Sequence, residues 1–184
     1  MAHGYTSSSK ILIIGSGVVG AAIADELTQR GARDVTVVDQ GPLYETGGSS
    51  SHAPGFVFQI NPSKAMSELA QRTLNKLDEL DPGGEDNWLL KRVGGIELAY
   101  TDDQMRELKR RHGFAQAWGV ASELISVDGV RQLWPGVDVT DLIGALHTPT
   151  DAVVHSVRAV TAQAERAIEH GAVFHGHTQV VDLV

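Results

Sequence analysis

The sequence predicts an α/β fold opening on a parallel strand–helix–strand unit, and three observations carry that prediction. Residues 10–14 carry four apolar side chains, Ile11 to Ile14, running into Gly15, as a buried strand does. Residues 18–30 offer Ala21, Ala22, Ile23 and Leu27 for packing and stop at Gly31, as a helix does. Residues 34–39 (DVTVVD) are rich in β-branched side chains, as a second strand is. Three elements in that order and span imply a right-handed crossover, which makes the two strands parallel neighbours.

The remaining pattern keeps alternating. Residues 40–55 form a loop dense in Gly, Ser and Pro. Residues 63–80 have helical spacing, with Met66, Leu69, Ala70, Leu74 and Leu77 on one face, and Asp81-Pro82-Gly83-Gly84 stops them. Residues 95–101 read as a strand. Asp102 is expected to cap a helix reaching about Trp118, with Asp103 beside it. Residues 127–134 are a short helix stopped by Pro135-Gly136, 144–148 a strand, and 157–170 a helix ended by Gly171. Residues 172–175 and 178–184 read as extended. The last of these enters a sheet the sequence does not complete, so the chain reads as truncated.

Composition narrows the classes of partner. A chain of 184 residues suits one domain or two small ones and can bury a core. Twenty-three acidic against 15 basic residues give a net charge of −8, which repels phosphate backbones and argues against nucleic acid. The absence of cysteine excludes disulfides, thiolate nucleophiles and zinc–thiolate sites, and fits a reducing cytoplasm. The longest apolar run is too short to span a bilayer, so no membrane association is expected, and the first ten residues do not read as a signal peptide.

The junction of the first strand and helix carries the clearest chemistry. Gly15-Ser16-Gly17-Val18-Val19-Gly20 is GxGxxG placed where a strand ends and a helix begins. Gly15 permits the tight turn, Gly17 lets a pyrophosphate approach the backbone, and Gly20 lets helix and strand pack closely. Val18 and Val19 contribute backbone N–H groups at the positive end of the helix dipole. Asp39 closes the second strand, 19 residues beyond Gly20, where a carboxylate accepts hydrogen bonds from ribose hydroxyls and repels a 2′-phosphate. NAD and FAD place ADP alike, so the motif leaves the dinucleotide open and an NAD-dependent dehydrogenase remains a rival.

Other polar groups read as ordinary structure. His175 and His177 would share one face of a strand, but no third ligand accompanies them and no metal site is expected. Lys109-Arg110-Arg111 reads as a solvated helix face. Trp88, Trp118 and Trp134 read as packing residues, since nothing in the sequence gathers them into a cage for a cation.

The segments KILIIGSGVVG, VTVVDQGPL, GGSSSHAPG, GGIELA, WGV and LWPGV, in that order, resemble the dimethylglycine oxidase, dimethylglycine dehydrogenase and sarcosine dehydrogenase group of the D-amino-acid-oxidase-like flavoproteins. GSSSHAPG is the specific part. The resemblance covers nearly the whole chain, which corresponds to the front part of the longer family enzymes. It implies a Rossmann-like, glutathione-reductase-like FAD-binding domain, residues 1–88 and 149–184, with residues 89–148 as the start of an inserted α+β substrate domain. It implies FAD held covalently by His52 through the flavin 8α-methyl. By the same match Val18 and Val19 meet the pyrophosphate, Asp39 and Gln40 the ribose side, and Ser49, Ser50 and Ser51 line the cofactor beside His52. Phe56 is a further contact, and Val180, in Thr178-Gln179-Val180, meets adenine. The implied activity is oxidative N-demethylation of a small N-methylated amino acid such as dimethylglycine or sarcosine. Tetrahydrofolate would belong only to a longer parent chain. Thr150-Asp151-Ala152 departs from the family's Asp-Gly, and no general base can be named.

Overall fold

The computed structural model describes residues 9–45, 47–84 and 86–183. The chain runs β1 (Ile11–Ile14), α1 (Val18–Gln29), β2 (Val35–Val38), α2 (Ser49–His52), β3 (Phe56–Val57), α3 (Lys64–Leu80), β4 (Leu90–Arg92) and β5 (Gly95–Ala99). It continues with α4 (Asp102–Ala117), β6 (Glu123–Ile125), α5 (Val127–Leu133), β7 (Gly144–Thr148), β8 (Ala152–Val154), α6 (Ser156–Glu169) and β9 (Val173–His175). Two compact units result. One comprises residues 1–55, 80–89 and 155–184, the other 56–79 and 90–154.

In the first unit β1, β2 and β9 form a parallel sheet in that order, with Ile11 opposite Val35 and Thr36 opposite Val173. The predicted strand–helix–strand unit is therefore present. Ile13, Val35 and Val37 pack with Ala24, Ala167 and Ala172 in its core. The expectation that β1 is buried is corrected. It lies at the sheet edge among the described residues, and Leu12 and Ile14 remain more than half exposed on the face α1 does not cover. The packing face of α1 also differs from the one expected. Ala21 and Ala24 are buried while Ile23 is exposed, because α6 lies close against α1 and only small side chains fit between them: Ala21 meets Val160 and Ala164.

Residues 178–183 pair with no strand among the described residues. His177 adopts a positive φ of 52°. Its N–H then donates to Gly41 O at 2.8 Å and that of Thr178 to Asp39 O at 2.7 Å, which lays the segment on the loop after β2. Val184 lies outside the described residues. His177 therefore stands beyond β9 and does not share a strand face with His175.

The second unit holds two small antiparallel sheets, ordered β3-β8-β4 and β5-β7-β6. Ile60, Ala99, Leu108, Ala115, Val120 and Leu146 form a core under α4. Thr101, not Asp102, caps α4. Its hydroxyl accepts from Gln104 N, and the Gln104 side chain returns a bond to the Thr101 backbone, while Asp102 and Asp103 occupy the first turn. On α3, Leu74 and Leu77 are buried as expected, but Met66 and Leu69 are exposed and Ser67 takes the inner position. The Ser67 hydroxyl accepts from Asn61 N there, so a hydrogen bond to the preceding loop sets the rotation of the first turn. No described helix is long and apolar enough to cross a membrane.

Candidate nucleotide-binding site

The turn between β1 and α1 is built on its glycines. Gly15 has a φ of 103°, a conformation side chains disfavour, and its N–H donates to Val38 O, which ties the turn to β2. A Cβ at Gly20 would stand 1.9 Å from Gly15 O, so only glycine lets α1 start so close to the turn. Gly17 is the N-cap of α1 and offers no side-chain cap. Ser50, brought in by α2, supplies one instead: its hydroxyl accepts from Val18 N at 3.0 Å. Among the described residues no acceptor meets the N–H groups of Val19 and Gly20 in the first turn, at the positive end of the helix.

Asp39 faces this helix end from β2. Its Oδ2 accepts from both the backbone N–H and the hydroxyl of Ser16 at 2.8 Å, and its Oδ1 from Gly41 N at 3.0 Å. The backbone N–H of Ser16, followed by that of Gly41, holds the Asp39 carboxyl below the usual carboxylate range. The group is thus a fixed anion that retains lone pairs for a ribose diol. Ser16, nearly inaccessible at 2% exposure, is a positioning residue the motif reading passed over. The hydroxyl at the second position of GxGxxG was the one signal available.

A cavity of about 730 Å³ connects these groups. Gly15, Gly17, Val18, Val19, Gly20, Asp39, Gln40, Ser49 and Ser50 all line it. Its size is that of a cofactor site. Backbone donors at one place, a fixed carboxylate at another and glycine where a Cβ would intrude fit an adenine dinucleotide. Ser51 and His52 stand beside it on α2 and are exposed. The His52 Nδ1 is 2.9 Å from Gly48 O and 3.1 Å from the Ser51 hydroxyl, which itself donates to Gly48 O. Phe56 lies on β3 in the other unit, and Val180 is half-buried in the extended segment after β9. Among the described residues no three His, Cys, Asp or Glu side chains are grouped to hold a metal ion.

The family described as DAO, FAD dependent oxidoreductase, matches residues 10–184. The chain belongs to this FAD-dependent oxidoreductase family. It is 32% identical over 181 residues to the pyruvate dehydrogenase phosphatase regulatory subunit of Mus musculus mitochondria, covering 97% of this chain and 20% of that protein. It is 26% identical over 169 residues to mitochondrial sarcosine dehydrogenase of the same organism, covering 90% of this chain and 18% of the relative. Among solved structures, L-proline dehydrogenase from P. horikoshii superposes with a TM-score of 0.87 at 28% identity, over 96% of this chain and 46% of the other. This member of the DAO family therefore spans about a fifth of those two relatives and less than half of that structure.

Proposed function

We propose that this DAO-family chain is the FAD-binding front part of an amine oxidoreductase, with residues 1–88 and 149–184 serving the cofactor and 89–148 beginning the substrate domain. The parent reaction is oxidative N-demethylation of a small N-methylated amino acid, dimethylglycine or sarcosine. The observation that carries this reading is the meeting of the α1 N-terminus, Asp39 and the α2 serines at one cavity. Gly15, Gly17, Val18, Val19 and Gly20 would present backbone to the pyrophosphate, and Asp39 with Gln40 would hold the ribose. Ser49, Ser50 and Ser51 would line the cofactor, with Phe56 and Val180 as further contacts. Bound FAD would supply the two-electron acceptor that none of the chain's own side chains provides.

His52 is the proposed covalent attachment point. A carbonyl only accepts hydrogen bonds, so Gly48 O keeps the proton on Nδ1 and leaves the Nε2 lone pair to form a C–N bond to the flavin 8α carbon, which would lose a proton while the flavin ring takes up two electrons that dioxygen would then remove. Purified protein incubated with FAD, denatured and run on a gel should show flavin fluorescence in the protein band. His52→Ala should abolish it. A dark wild-type band for both this chain and a longer parent would overturn covalent attachment.

A second reading is favoured by one comparison. The mouse relative at 32% identity is named as a regulatory subunit and not as an oxidase. In that reading the chain binds FAD without turnover. Bleaching of the bound flavin by sarcosine or dimethylglycine under anaerobic conditions would exclude it.

A further inference from the structure

The turn that carries His52 is a poor helix on its own account. α2 is a single turn, Ser49–His52, and Gly48 at its N-cap offers no side chain to hold it. Serine competes for backbone hydrogen bonds and disfavours helix interiors, and one isolated turn does not sustain itself. Ser49, Ser51 and His52 are exposed, while Ser50 is half-buried. The position of α2 is therefore set by what it touches outside itself.

Ser50 touches the nucleotide site. Its hydroxyl oxygen accepts from Val18 N at 3.0 Å, the first N–H of α1. A Cβ at Gly17 would stand 3.2 Å from that oxygen, so the glycine that opens the backbone to a pyrophosphate also admits Ser50. Among the described residues the Ser50 hydroxyl proton meets no acceptor. A hydroxyl that accepts from an N–H at the positive end of a helix is polarised into a stronger donor, and an anionic oxygen is its natural acceptor. Ser50 lines the cavity together with Gly48 and Ser49. The rest of the turn is tied into one piece. The Ser51 hydroxyl donates to Gly48 O at 3.0 Å, and His52 Nδ1 meets the same oxygen at 2.9 Å. The imidazole is thus fixed to α2 and goes where α2 goes.

We propose that Ser50 is a positioning residue that couples pyrophosphate binding to the placement of His52. Its hydroxyl accepts from Val18 N and donates to a pyrophosphate oxygen, so a bound dinucleotide gives α2 a second anchor beside α1. The imidazole is then set before any bond to the cofactor forms. This coupling rests on the reading of the cavity as the FAD site and deepens it, because occupancy of the phosphate subsite reaches the attachment residue through one hydroxyl.

The test follows the imidazole signals of His52 by NMR while ADP is added to the full chain without FAD. His52→Ala identifies those signals, and the Val19 amide reports occupancy of the site. In wild type both should shift and saturate together. At saturating ADP the His52 shift should fall by about threefold or more in Ser50→Ala, whereas Ser50→Thr, which keeps the hydroxyl, should retain most of it. The remaining amide signals of both variants should match wild type, which shows that they fold. A Val19 amide that ADP does not move in wild type would sink the nucleotide reading and the coupling with it. A Val19 shift with His52 unmoved would overturn the coupling and leave the nucleotide site standing. So would an undiminished His52 shift in Ser50→Ala, or a loss in Ser50→Thr as deep as in Ser50→Ala. Complete loss of ADP binding by Ser50→Ala would overturn it too, since Ser50 would then hold the ligand and not link it to His52.

Discussion

Ser16 and Asp39 show how little of a site a spacing pattern contains. GxGxxG with a carboxylate at the end of the second strand was legible because glycine is required there by backbone geometry: Gly15 by its positive φ and Gly20 by its approach to Gly15 O. That Ser16 doubly anchors Asp39 was not legible, since the contact joins residues 23 apart and depends on the turn's shape. Nor was the opposite environment of Asp151. Desolvation by burial, only partly offset by the bonds from Gln59, pushes that carboxyl above its ordinary value, whereas Asp39 is held below. The two titrate with opposite effect. Stabilisation from Asp39 is complete above pH 3.8 and is lost as pH falls through its lowered value. For Asp151 the folded state takes up the proton more readily, so its contribution to stability grows as pH falls through its raised value toward 3.8. Asp151→Asn removes the second effect. The melting temperature of the variant relative to wild type should therefore be higher at neutral pH than at about pH 4, the ordinary carboxylate range. A difference that does not change with pH would mean Asp151 titrates normally.

At the scale of elements, α1 and α6 are joined by a bond no sequence pattern announces. Asp25, fully buried, receives Arg166 Nε at 2.8 Å and Nη2 at 2.7 Å, a bidentate pair between residues 141 apart. Each residue alone reads as an exposed helical charge. The alanine face around the pair was partly legible from Ala21 and Ala22, but choosing Ala24 over Ile23 required the position of α6. Asp25→Ala removes the bidentate carboxylate from a partly buried guanidinium and should cost about 3–5 kcal/mol, whereas Asp25→Leu with Arg166→Met should cost much less. Urea unfolding of the three proteins decides this, and a cost below about 1 kcal/mol for Asp25→Ala would place the pair among weak surface bridges. The brief strands were missed for a different reason. β3, β4, β6 and β8 have two or three residues each, too few for alternation to register, and exist only as partners of one another or of β7. α2 was hidden in a Ser- and Gly-rich loop whose composition argues against helix.

Across the whole molecule, the long periodic segments were readable from spacing, whereas a division into two units was expected only from the family resemblance. The βαβ unit, α3, α4, α6 and β7 follow from hydrophobic spacing and stop signals. The return of α6 and β9 to the first unit, after about 100 intervening residues, leaves no mark in hydrophobic spacing and was expected from the resemblance alone, whereas the grouping of residues 56–79 with the second unit was not expected. Family membership over residues 10–184 fits that topology, in which the nucleotide cavity lies wholly within the first unit. Equilibrium quenching of FAD fluorescence by the full chain shows whether this cavity takes the dinucleotide of FAD. Saturable quenching that ADP reverses is expected, together with its loss in Gly17→Val, whose side chain would start 3.2 Å from the Ser50 hydroxyl and stand where the pyrophosphate must approach. Absence of saturation, or undiminished binding by Gly17→Val, would show that the cavity does not take it.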